Sequence, residues 1–81
     1  MAKMSKFKRS QNAHLRLNAT YLRKDNTAKN RAFGNYHIDC YERQKRAKRL
    51  LSRAERRKLF LWWCKYEGYA TIAKRLPSGR G

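Results

Sequence analysis

Residues 43–68 read RQKRAKRLLSRAERRKLFLWWCKYEG, and the interpretation of this stretch decides the fold. It opens on a cationic run, closes on an apolar one, and carries Ser52-Arg53-Ala54-Glu55 between them. Ser-x-x-Glu is the capping-box pattern: the Ser hydroxyl and the Glu carboxylate each satisfy a backbone N–H left free where a helix starts. A helix therefore starts at residue 53. It stops at Gly68, a residue suited to the left-handed conformation that closes many helices. Before Ser52, the residues Tyr36, Cys40, Ala47, Leu51 and Ala54 share one side of a 3.6-residue wheel, with Leu50 at its edge. Lys45, Arg46, Lys48 and Arg49 lie largely opposite, which is the pattern of an amphipathic helix with a basic outer face. Arg43 and Gln44 interrupt the apolar stripe. The spacing predicts two helices rather than one continuous helix over 36–67.

Beyond Gly68, Tyr69, Ile72, Ala73 and Leu76 stand at i, i+3, i+4 and i+7, which predicts a third short helix ended by Pro77. Residues 78–81 read as a small polar tail. Upstream, 11–25 is ambiguous: Leu15, Leu17, Ala19 and Tyr21 alternate as in a strand, whereas Leu15, Ala19 and Leu22 fit a helix, which is the preferred reading. Residues 25–34 (DNTAKNRAFG) are rich in Asn and end in Gly, which predicts a connection. Residues 1–10 (MAKMSKFKRS) read as a basic arm carrying Lys3, Lys6, Lys8 and Arg9. The expected organisation is a basic, partly extended arm over 1–10, a helix or short strand plus loop over 11–34, a helical domain over 35–77 and a tail over 78–81. The fold class is mostly α, a mini-domain of two to three helices.

The chain has 81 residues, which limits it to one small domain. It holds 22 Lys+Arg against 5 Asp+Glu, a net charge of +17. Such a chain repels itself when compact, and a polyanion relieves the repulsion. Nucleic acid is the expected counterpart, DNA or RNA. A membrane-spanning helix needs roughly 20 apolar residues, and the longest apolar run is only Leu59 to Cys64. No apolar stretch typical of a secretory signal follows the basic start, so an intracellular location with reduced cysteines is expected.

Each cation placed beside a phosphate releases a condensed counterion, and that release drives binding. The candidate nucleic-acid contacts are Lys6, Lys8, Arg9, Arg43, Lys45, Arg46, Lys48, Arg49, Arg53, Arg56 and Arg57. Only Glu55 opposes them between residues 43 and 58. A face kept for solubility alone would mix acids with the bases. Lys45-Arg46-Ala47-Lys48-Arg49 also has the pattern of a nuclear import signal. The second candidate set is Phe60, Leu61, Trp62, Trp63 and Tyr66. These cover nearly every side of their helix and read either as core or as an anchor for a protein partner or a second copy. Stacking on bases is a third role open to them.

Glu67-Gly68-Tyr69-Ala70-Thr71-Ile72-Ala73-Lys74-Arg75-Leu76, together with Glu55-Arg56, resembles the middle of helix-turn-helix domains. The turn after Gly68 is shorter than in those domains, and the base-reading helix that should follow Leu76 has no counterpart. The resemblance implies a compact helical module and nothing about base recognition. His37-x-x-Cys40 has ligand spacing, and Cys64 and His14 could complete four. Structural zinc sites usually show two close pairs, however, so no metal site and no cofactor is assigned. Cys40 and Cys64 read instead as small buried residues on facing helices. No nucleophile–base arrangement or phosphate-cradling glycine loop is present, so no enzymatic role is expected. The expected function is phosphate-directed nucleic-acid binding with low sequence specificity. Two alternatives are a structural RNA-binding component of a ribonucleoprotein such as the ribosome, and a small virus-type regulator that binds an acidic nucleic-acid-handling protein.

Overall fold

Ser5, Thr27 and Ser52 each hold extended backbone angles and start a helix. In each case the side-chain oxygen accepts from the backbone N–H three residues on. The computed structural model describes residues 5–69, which form three α-helices and no strand. These are α1 (Lys6–Arg23), α2 (Ala28–Ala47) and α3 (Arg53–Glu67). The helices predicted on either side of Ser52 are both present, and both halves of the capping box are made. Gly68 closes α3 at φ 82°, with the Tyr69 N–H reaching the Cys64 carbonyl at 2.7 Å. The third short helix, the tail and most of the helix-turn-helix resemblance lie outside the described residues.

Two boundaries differ from the sequence expectation. Residues 6–10 of the supposed extended arm are the first turns of α1, because Ser5 caps them. The connection after α1 is confined to residues 24–27, so residue 35 marks no domain edge and Gly34 lies inside α2. Gly34 is there for close approach. A Cβ at this position would stand 2.7 Å from Leu22 Cδ2, and Asn18 Nδ2 donates to the Gly34 carbonyl at 2.7 Å. Residues 11–23 are helical, and the side chains that α1 turns toward α2 are mostly polar. Gln11, His14, Asn18 and Tyr21 follow one another at helical spacing and meet Tyr41, His37, Gly34 and Phe33 respectively.

α2 is the central element. It packs antiparallel against α1 on one side and α3 on the other, and α1 and α3 do not pack on each other. Phe60 of α3 meets Phe33 and Tyr36 edge-on at 5.3 Å, and Glu67 accepts from Arg31 and Asn35 of α2. The buried apolar side chains among the described residues are few: Ala32, Cys40, Leu51 and Cys64. Both cysteines are buried, as read from the sequence, and no disulfide joins them.

The largest fully buried side chain is polar. Gln44, 1% exposed, donates to Gln11 Oε1 at 2.7 Å and to Ser10 Oγ at 3.2 Å. Its own Oε1 accepts from the Leu51 backbone N–H at 3.3 Å. One amide thereby ties the start of α1 to the end of α2 and to the connection entering α3. A buried group stripped of its partner costs about 1–3 kcal/mol. Gln44→Ala strands several such groups at once, and is expected to cost about 3 kcal/mol and lower Tm by roughly 10–20 °C in a thermal melt. A change in Tm of only one or two degrees would show that the amide is not holding the three segments.

Candidate nucleic-acid interface

The up-and-down order of the helices decides which cations meet. The start of α1, the end of α2 and the start of α3 all lie at one end of the molecule. Lys6 and Arg9 from α1 and Arg56 from α3 line one cleft of about 330 Å³ there. Its floor is Ala13, Leu50 and Leu51, with Ser10 and Gln44 between the helices. The candidates read from sequence thus divide by position. Lys6, Arg9 and Arg56 converge on the cleft. Arg53 and Arg57 lie on the outward side of α3, beside Lys58 and Leu61. Lys8, Lys45, Arg46 and Lys48 are exposed around the same end.

Two of the candidates are committed elsewhere. Arg49 grips both carboxylate oxygens of Glu55, at 3.1 and 3.0 Å, and Arg43 pairs with Asp39 one turn back at 2.9 Å. The first of these pairs matters for the electrostatics of the end. Hydrogen bonds from Arg49, then from the Ser52 backbone, hold the Glu55 carboxyl down to about 2. The one acid among these bases is therefore ionised and already matched. Lys6, Lys8, Arg9, Lys45, Arg46, Lys48, Arg53, Arg56 and Arg57 form no ion pair among the described residues. Lys48 closes α2 in the left-handed region, at φ 59°. A non-glycine residue is uncommon there, and glycine would sit at lower cost.

No protein-family model, curated protein or solved structure matches this chain.

The aromatic set separates into two groups. Phe60 points inward to Phe33 and Tyr36. Trp63 is half-buried and donates its indole N–H to Asp39 Oδ2 at 2.9 Å. Trp62 and Tyr66 are 55% and 66% exposed, so the core reading fails for these two. Leu61 is half-exposed on the outward side. No helix among the described residues is long and apolar enough to cross a membrane.

His37 and Cys40 do not act together. His37 Nδ1 lies 2.9 Å from His14 Nδ1 across the α1–α2 interface, so one ring must donate to the other. No group of three or more His, Cys, Asp or Glu side chains gathers around a common point among the described residues. Burial pushes the Cys40 thiol up to about 11. It is protonated at neutral pH. Sequence reasoning gives Gln11 no role, weighs His14 only as a possible metal ligand, and scores Gln44 as an interruption of an apolar stripe. Their helical spacing was the available signal.

The histidine pair makes the fold sensitive to acid. Burial, then the charge of His14, pulls His37 down to about 4. Burial, then the nearby Arg56 guanidinium, lowers His14 as well. Below about pH 6.5 the unfolded chain takes up protons that the folded chain refuses, so stability falls with pH. The loss from this pair runs from about pH 6.5 down to about 4 and is absent above neutrality. Glu55 adds a separate loss at lower pH, from about 4.5 toward 2. Tm measured from pH 8 to 3 should be flat at first and then decline from about pH 6.5. A His37→Gln variant should decline less steeply between about pH 6.5 and 4; an identical slope in the variant would rule the pair out as the cause.

Proposed function

We propose that the protein binds nucleic acid through its phosphate backbone, using the cationic end as the contact surface. The observation that carries this reading is the convergence of Lys6, Arg9 and Arg56, from two separate helices, on one cleft, with no carboxylate paired to them among the described residues. Bringing like charges together costs energy in the free protein, and a phosphate row offsets that cost. The matched Arg49–Glu55 pair supports the reading, since Glu55, the chain neighbour of Arg56, is already engaged.

The expected mode is positioning on phosphates, with little base readout. Phosphate contacts fix register and orientation but carry no sequence information. No catalytic step forms part of the proposal: the two histidines are engaged with one another and the Cys40 thiol is held protonated.

The test is a salt titration of the full chain against a short DNA duplex and a short RNA. The logarithm of affinity should fall linearly with the logarithm of salt concentration. Replacing Lys6, Arg9 and Arg56 together by Gln should weaken binding at low salt and make the slope shallower by about 2 to 3, since each phosphate left without its cation removes roughly 0.7–0.9 from the slope. Circular dichroism should show unchanged helicity. Wild-type affinity and slope in the folded triple variant would refute the assignment.

A further inference from the structure

We infer that Trp62 and Tyr66 form a stacking platform for unpaired bases, and that the nucleic acid this protein takes is single-stranded. The inference rests on the phosphate-binding reading and narrows it to one substrate class.

Lys58, Trp62 and Tyr66 stand at i, i+4 and i+8, so they share one face of α3. The Trp62 and Tyr66 rings are parallel within 9°, with centroids 5.1 Å apart. Trp63 stands nearly perpendicular to both, at 4.8 and 5.4 Å, and its indole N–H is held by Asp39. The two exposed rings are therefore braced from behind before any ligand arrives. Folding does not need them at the surface, because Phe60 and Trp63 make the inward contacts. Among the described residues nothing covers these two large rings, and they form an exposed apolar patch.

The surroundings indicate what covers it. Lys58 and Arg43 line a groove of about 390 Å³ together with Trp62, Leu59 and Asp39. The one acid in that groove already takes Arg43 and the Trp63 N–H. An apolar protein surface laid on the rings would strip water from the Lys58 ammonium without replacing it. A nucleic-acid strand supplies both partners, base faces for the rings and a phosphate for Lys58, which forms no ion pair among the described residues. A duplex buries its base faces within its own stack, so a single strand is the form that fits. Lys58 and Trp62 are four residues apart, about 6 Å along the helix axis and on one face, so one strand can touch both.

The experiment compares the wild-type full chain with a Trp62→Ala/Tyr66→Ala double variant. The probes are oligothymidylate, oligouridylate and a DNA duplex of equal length at low salt. Single-strand affinity should fall about tenfold or more in the double variant, while duplex affinity changes by less than about twofold. Trp62→Phe should keep most of the single-strand affinity and Trp62→Leu should not, which decides the matter even if the double variant misfolds. Equal single-strand affinity in wild type and Trp62→Leu overturns the platform and leaves the phosphate reading standing, provided both ligands still bind in a salt-dependent way. A wild type that binds neither ligand overturns both. Self-association that is lost in Trp62→Leu with single-strand affinity intact assigns the rings to a copy of the chain, and also overturns the platform.

Discussion

The Gln44 amide is the constraint on which the arrangement depends. Three chain segments rich in Lys and Arg meet at one end of the molecule, and like charges there favour separation. The apolar core offers little to fix their relative positions, since the buried apolar side chains among the described residues are Ala32, Cys40, Leu51 and Cys64, of which only Leu51 lines the cleft at that end. Gln44 does so through directional bonds to Ser10, Gln11 and the Leu51 N–H, and Gln11 passes the connection on to the Tyr41 carbonyl. A polar group so fully enclosed is tolerable only when its partners are all present. The fold thus trades hydrophobic bulk for geometry, and the geometry is what sets the cationic cleft.

The same trade runs along the whole α1–α2 interface. Asn18 bonds to the Gly34 backbone, the two histidines bond to one another, and Tyr21 packs edge-on against Phe33. Such contacts specify register more than they add stability, and the histidine pair is sensitive to protonation. On the proposed function the ligand supplies part of what the core lacks. A polyanion that binds only the folded chain stabilises it by mass action and relieves the repulsion at the cationic end.

Local signals made the second half of the fold legible from sequence. The Ser52–Glu55 box and Gly68 act within a few residues of themselves, so they fixed where α2 gives way to α3 and where α3 ends. α1 was obscured because its packed stripe is Gln, His and Asn, and a search for apolar periodicity passes over it. Residues 25–34 read as a connection ending at Gly34 because a glycine that admits a neighbouring helix looks the same in sequence as one that ends a loop. Among the cations, the basic run was plain, but Lys6 meets Arg56 only through the tertiary topology. The pairing of Arg49 with Glu55 and of Arg43 with Asp39 likewise needed the geometry, although the second has the i, i+4 spacing that permits it. For Trp62 and Tyr66, an all-round apolar helix does not reveal which side its neighbours will cover. Only the placement of α2 shows that they are left outside.

The most direct test of the cationic end as the contact surface is residue-resolved. Amide chemical shifts of the isotopically labelled chain would be followed while a short DNA duplex, which offers no unpaired bases to Trp62 and Tyr66, is added at low salt. The account predicts that the largest changes fall in residues 6–13 and 44–57, where the first turns of α1, the last turn of α2 and the start of α3 converge. Changes centred on the opposite end, around residues 23–31, or no changes at all, would contradict it.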